Sequence, residues 1–371
     1  MKIMNSLKQL VARCTIIALC ATLLTASCDN KENIEPEDCN VYVAGDVNGA
    51  ATLWKNGVAH NLTDGTRMAK AHSVFVSGRD VYVVGYEASG QEYIKEGVVS
   101  TYTSNRNVAK LWKNGVAQNL TDGTYDAEAY SVFVSGSNVY VAGFEASGQE
   151  YQLYGKHNHS VAKLWKNGVA QNFNDGTYSA WAISVFVSGS DVYVAGEDDT
   201  GGFAVLWKNG VKQNLADVIF PGTWVSPVFV SGKDVYVAGH ETDWTGGNNV
   251  VAVLWKNGVK QNLTEITNTS ATSVFVLGSD VYVAGTVGKF INAKHVTNAV
   301  LWKNGVMQNL TGITFLDTWA HSVFVSGKDV YVLGEEFAPF TGTVVILWKN
   351  GVRQNLTDES TFARAYSVFV K

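Results

Sequence analysis

Four short motifs each occur seven times in this chain, and that repetition restricts the fold more than any other feature. Leu-Trp-Lys-Asn-Gly places its tryptophan at Trp54, Trp112, Trp165, Trp207, Trp255, Trp302 and Trp348. Val-Tyr-Val-x-Gly begins at Val41, Val81, Val139, Val192, Val235, Val281 and Val330. Val-Phe-Val is centred on Phe75, Phe133, Phe186, Phe229, Phe275, Phe324 and Phe369, and a segment such as Val211 to Leu215 follows each Lys-Asn-Gly. Every piece is short, β-branched or aromatic, and bounded by Gly, Ser, Asn or Asp, which reads as a strand. Asn-Gly joins the third strand to the fourth as a type I′ hairpin turn.

Each unit is therefore an antiparallel meander of strands a, b, c and d. Units of about 45 residues with four strands are propeller blades. The repeats begin at strand b (Val41) and stop at strand a (Val368 to Val370), and the leftover strands complete one blade. The expected fold is all-β, a seven-bladed propeller over 40–371 whose ring is closed by a blade shared between the two chain ends. Such closure removes the exposed sheet edge an open array would leave.

The first forty residues read as an address. Lys2, Lys8 and Arg13 precede an apolar run from Cys14 to about Ala26, which is too short for the roughly twenty residues of a membrane span but suits a secretory signal. Thr25-Ala26-Ser27-Cys28 resembles the lipobox of bacterial lipoproteins, although Thr25 stands where that motif usually has Leu. The expected division is a lipoprotein signal over 1–27 and an acidic tether over 28–39 after an acylated Cys28, the latter inserted in the lipid bilayer. The alternative is ordinary secretion with cleavage near Ala26. With Cys14 and Cys20 removed and Cys28 acylated, Cys39 is expected to form no disulfide. The formal charge of −5 and the absence of any basic stripe argue against a nucleic-acid partner.

The repeats Ser-Val-Phe-Val-Ser-Gly-x-Asp-Val-Tyr-Val-Ala-Gly and Leu-Trp-Lys-Asn-Gly resemble a family of propeller lipoproteins of Bacteroidetes, over nearly all of 40–371. The resemblance implies an outer-membrane lipoprotein of the cell envelope, surface-exposed through its acidic tether. It is nearly silent on activity, because propellers host many functions.

Invariance among the seven copies marks what every blade needs, and variation marks what the scaffold leaves free. The a–b and c–d hairpins share one face and scarcely vary. The b–c and d–a connections share the other face and hold nearly all the variation. Four residues before the first valine of strand a stand Lys70, Glu128, Trp181, Trp224, Ser270, Trp319 and Arg364. Two residues later stand His72, Tyr130, Ile183, Ser226, Thr272, His321 and Tyr366. These positions are expected to ring the mouth of the central channel, with Trp244 contributing from a b–c loop. Aromatic faces beside Lys, Glu and Arg are the composition of a glycan or small-molecule site.

The motif tryptophans, present in every blade, are expected to be packing between blades. Glu87, Glu145, Asp198, Glu241 and Glu336, two residues after the strand-b glycine, are expected to have a structural role such as accepting backbone N–H bonds. A glycosidase needs two facing carboxylates, and the inner ring offers Glu128 alone, so the chain is expected not to be an enzyme and to use no cofactor or metal. The expected function is capture of a glycan or cofactor-like ligand on the variable face; similar surface propeller lipoproteins capture corrinoids. The alternative is a scaffold docking an outer-membrane transporter or other envelope protein through loops 86–110 and 144–162, and a further one is a glycan hydrolase centred on Glu128.

Overall fold

The computed structural model describes residues 39–371 apart from 91–105, 153–155, 201–203, 216–222, 244–248, 292–293, 312–315, 339–341 and 359–361. The expected signal, tether and Cys28 lie outside the described residues, as does Trp244. Strands among the described residues form seven antiparallel four-stranded sheets, each in the order a-b-c-d. We number the blades by strand a: Ala69–Ser77 (blade 1), Ala127–Ser135 (2), Ala180–Ser188 (3), Thr223–Ser231 (4), Thr269–Leu277 (5), Asp317–Ser326 (6) and Ala363–Val370 (7). Blade 7 is the shared one. Its strand a pairs with Val41–Val47, Val370 facing Val41, and Asn40 and Lys371 exchange backbone hydrogen bonds of 2.6 and 2.9 Å.

The hairpin face consumes its invariant residues within each blade. In every Lys-Asn-Gly turn both central residues have positive φ, as in Asn56 (52°) and Gly57 (80°), which is the type I′ geometry. The turn asparagine then ties the a–b hairpin to the c–d hairpin. Asn257 Oδ1 accepts from Val235 N–H at 2.8 Å, while its Nδ2 donates to Asp234 at 2.8 Å. Lys256 reaches the other oxygen of Asp234 at 2.8 Å and lies 5.3 Å from the Tyr236 ring centre.

Between blades, the motif tryptophans are buried to 1% exposure or less, which bears out the packing expectation. Trp255 packs with Ala195, Leu206 and Val225 from blades 3 and 4. Strand b must come close to strand a beneath it: a Cβ on Gly239 would overlap the Trp224 carbonyl oxygen and press on the Trp255 ring. That is why Val-Tyr-Val-x-Gly ends in glycine.

Strand a carries a β-bulge in every blade. In blade 1, Ala71 faces Gly85 and Ser73 faces Val84, so His72 has no opposite number. The extra residue switches the phase of the strand: Ala69 and Ala71 are buried before it, Val74 and Val76 after it. Channel-facing positions shift correspondingly from Lys70 and His72 to Ser73 and Phe75. The seven phenylalanines below form a closed collar, each ring 4.6 to 5.0 Å from the next. A belt of serines stitches neighbouring blades above it, Ser73 Oγ accepting from Val132 N–H at 3.3 Å and Ser322 Oγ from Val368 N–H at 3.2 Å. Blade 4 has Pro227 at this position, and there the Ser226 hydroxyl donates to the Ala271 carbonyl instead, at 2.8 Å.

Two expectations are corrected. Cys39 is disulfide-bonded, and the other half of the bond lies outside the described residues. The elimination failed because it had assigned Cys14, Cys20 and Cys28 other fates. The segment 144–162 is not an open loop: strands Asn138–Gln152 and Lys156–Lys166 continue their pairing out to Gln152 and Lys156 as one long hairpin.

Candidate functional site

The bulge aims the variable side chains inward and so builds a cavity of about 640 Å³ at the channel mouth, above the phenylalanine collar. Its walls include Lys70, His72, Glu128, Tyr130, Ile183, Ser226, Thr272, His321, Arg364 and Tyr366 from the predicted ring, together with Pro227. Trp181, Trp224 and Trp319 do not line it. They precede the bulge in blades 3, 4 and 6; Trp224 is 51% exposed and stacks on His240, with centroids 6.3 Å apart.

A second ring stands directly outside the first, and sequence reasoning missed it. Antiparallel pairing sets the residue after the strand-b glycine opposite the outer ring position of strand a: Asp46 faces Arg364, Glu197 faces Trp181, His240 faces Trp224 and Glu335 faces Trp319. The signal was present in the sequence, since the seven copies differ there too, reading Asp46, Tyr86, Phe144, Glu197, His240, Thr286 and Glu335. Glu128 is therefore not the sole carboxylate near the mouth.

His72 sits among three tyrosine rings, Tyr86, Tyr130 and Tyr366, with centroids 5.3 to 5.6 Å away. Burial pushes its pKa down to about 4, with the Lys70 charge acting the same way, so the imidazole is neutral at physiological pH. Its Nδ1 lies 3.2 Å from the Ala129 carbonyl oxygen, an arrangement that requires the proton on Nδ1. Burial likewise brings His240 to about 4.

The carboxylates are held in the opposite sense. Burial raises Asp46, Glu128 and Glu197, the last to about 8 with the neighbouring charge of Asp199 adding to it. Each has a donor: Tyr366 Oη donates to Asp46 at 3.0 Å, Asn107 Nδ2 to Glu128 at 2.9 Å, and the Val225 N–H to Glu197. Glu335 Oε1 stands 3.2 Å from His321 Nε2, and its buried Oε2 has no hydrogen-bond partner. Burial beside these acids also raises the phenols of Tyr130 and Tyr366, which remain protonated donors.

The five acids two residues after the glycine lie away from the mouth. They form ion pairs with the outer strands, Glu87 with Lys110 and Glu145 with Lys163 at 2.5 Å, Asp198 with Lys212 at 2.9 Å and Glu241 with Lys260 at 2.7 Å. Glu336 takes Arg353 in a two-pronged contact at 2.8 and 2.9 Å. Their role is structural as expected, but it is mainly charge pairing; Asp198 adds a backbone bond, from Thr200 N–H at 2.8 Å.

No protein-family model matches the sequence, and no curated protein matches it. Among solved structures, the chain is similar to an acylaminoacyl peptidase of Pyrococcus horikoshii at 13% identity and a TM-score of 0.52, covering 87% of this chain and 51% of that one. A puromycin-hydrolyzing peptidase of Mycobacterium tuberculosis has 13% identity and a TM-score of 0.49, covering 84% and 50%. A periplasmic gluconolactonase of Pseudomonas aeruginosa has 12% identity and a TM-score of 0.42, covering 90% and 98%. The chain thus spans about half the length of the peptidases it matches. Likeness at this level shows the fold, a β-propeller. It also corrects the expectation of a non-enzyme, because the fold is shared with acylaminoacyl peptidases at a TM-score of 0.50 to 0.52 and therefore gives no ground for setting catalysis aside.

Proposed function

We propose that this chain is a ligand-capture propeller that takes a glycan or cofactor-like small molecule into the cavity at the mouth of its channel. One observation carries the reading. The upper cavity wall, above the shared serine belt and phenylalanine collar that floor it, is made of positions where the seven copies disagree, whereas the Lys-Asn-Gly face, the motif tryptophans and that collar are alike in every blade. A repeat protein needs identity where blades pack. It has no packing reason to put Lys, Glu and Arg at one equivalent position, and His, Ile, Ser and Thr at another, around one opening. A volume of about 640 Å³ lies inside the 300–1,000 Å³ range of small-molecule sites.

The test is isothermal titration of the full chain with a panel of glycans and corrinoids, repeated on Ile183→Trp, which fills the cavity from its uncharged side. Saturable heat abolished by Ile183→Trp supports capture in the cavity. Binding that survives it removes the site assignment. The alanine triple variant of Trp181, Trp224 and Trp319 asks separately whether the aromatic positions outside the cavity extend the site; equal affinity would confine recognition to the cavity.

In this proposal the chain is held at the outer membrane by lipid on Cys28, with 29–38 as tether. An acylated Cys28 cannot also be the partner of Cys39, so mass spectrometry of Cys28-containing peptides from native membranes decides between the two. A lipid adduct supports the anchor, and a disulfide-linked peptide rejects it. A second reading, docking of an envelope protein, is favoured by the long hairpin of 138–166 in blade 2. It requires co-purification of a partner that is lost when that hairpin is trimmed to the length of its blade 3 counterpart.

A further inference from the structure

The cavity walls divide by chemistry. Blades 7, 1 and 2, consecutive around the ring, supply Arg364 and Tyr366, Lys70 and His72, and Glu128 and Tyr130. Blades 3, 4 and 5 supply Ile183, Ser226 with Pro227, and Thr272, none of which carries charge. A symmetric scaffold has thus been given one charged wall and one uncharged wall.

On the charged wall the acids have donors, and the two cations have no acceptor among the described residues: Asp46 has the Tyr366 hydroxyl and Glu128 has the Asn107 amide. Lys70 and Arg364 form no ion pair or hydrogen bond among the described residues, although both feel the charge of Asp46 at longer range; the Lys70 ammonium lies 6.0 Å from the Tyr86 ring centroid. The two cations hold the same position of strand a in adjacent blades, so they stand side by side at the opening, Lys70 partly buried and Arg364 exposed. His72 between them and the tyrosines is uncharged, and cannot serve as a third cation. Among the described residues, the motif lysines Lys113, Lys208, Lys256, Lys303 and Lys349 pair with an aspartate, whereas Lys55 and Lys166 rest over the Tyr42 and Tyr140 rings. Two adjacent cations on a cavity wall, with no direct ion-pair partner among the described residues and with the nearby acids Asp46 and Glu128 pushed by burial toward their neutral forms, make an anion site, and the guanidinium provides the two-pronged donor geometry that carboxylates and phosphates accept.

Resting on the capture reading above, we propose that Lys70 and Arg364 receive the anionic group, a carboxylate or a phosphate, of a small organic ligand whose uncharged body lies against Ile183 and Pro227. The Tyr130 and Tyr366 rings and His72 flank the body, and the Tyr366 hydroxyl donates to Asp46, whose carboxyl is pushed by burial toward its neutral form.

The test uses three probes of one shape and different charge, glucose, glucuronate and glucose 6-phosphate, titrated calorimetrically into the full chain. At least one anionic probe is expected to bind ten times or more tighter than glucose. Lys70→Gln and Arg364→Gln are each expected to weaken that anion about tenfold to a hundredfold, the range of a charge-assisted contact, and to leave glucose unchanged. Lys70→Arg should restore most of the loss, and thermal melts equal to the parent check that the variants fold. The tighter of the two anions tells carboxylate from phosphate. Equal affinity for all three probes, abolished by Ile183→Trp, would overturn the anion assignment while leaving capture in the cavity standing. Absence of saturable binding by any probe, or binding indifferent to Ile183→Trp, would overturn both.

Discussion

Asn298 offers a sharp test of the packing argument. It lies in strand c of blade 5 (Lys294–Lys303), opposite Val287, with no exposed surface and with neither amide atom hydrogen-bonded. The copies carry Ala50, Val108, Val161, Phe203, Val251 and Val344 at the same distance before the motif tryptophan. Asn298→Val therefore installs what the scaffold uses elsewhere. Each buried, unpaired polar group costs about 1–3 kcal/mol, and valine adds apolar contact in a space of similar size. The expected gain is about 2–4 kcal/mol, read as a higher denaturant midpoint with an unchanged slope. A midpoint equal to or below the parent's would refute the reasoning. It would show that the amide is satisfied in solution and that blade 5 is built around it.

Deleting Ser367 to Lys371 removes Val368 and Val370, each 4% exposed, breaks the phenylalanine collar at Phe369 and reopens the ring. The loss should be of the order of the whole stability of a domain, about 5–15 kcal/mol, and a truncated chain that melts like the parent would disprove closure. Trp255→Ala should cost about 3–5 kcal/mol in chemical denaturation, whereas Trp224→Ala, on an exposed ring, should stay within about 0.5 kcal/mol. Glu197 titrates near 4.5 when unfolded and near 8 when folded, so its contribution is fully present below pH 4.5 and is lost as pH rises through 8; Glu197→Gln should flatten the melting temperature across that window. His72 acts on the acid side: folded near 4 against 6.5 unfolded, it makes stability fall as pH drops from 6.5 to 4, a slope that His72→Gln should remove.

The blades, the closing blade and the role of the motif tryptophans were legible because they follow from repetition and from turn chemistry such as Asn56-Gly57, which needs only local information. The ring at the mouth was legible in part, since Lys70, Glu128 and Arg364 could be placed by counting back from Val-Phe-Val. Strict alternation could not show the bulge at His72, whose extra residue decides which neighbours share a wall. It also gave no hint that the tryptophans of blades 3, 4 and 6 stay outside the cavity while Lys70 at the same position enters its wall. That difference is set by side-chain direction, which the spacing does not encode. The acids at Glu87 and its counterparts looked like loop caps because their partners, Lys110 and Lys163 among them, become adjacent only when strands b and c pair.

The bulge separates two kinds of inheritance within one strand. Below it, Val74, Phe75 and Val76 and their counterparts answer to their neighbouring blades, and a change in one copy must be met by changes in others. Above it, the side chains that face the opening are outside the packed core, tied at most by single contacts such as that of His72 with the Ala129 carbonyl. Sites on that circle can accordingly change in small groups, and a lineage of such proteins can trade one specificity for another without passing through an unfolded ancestor.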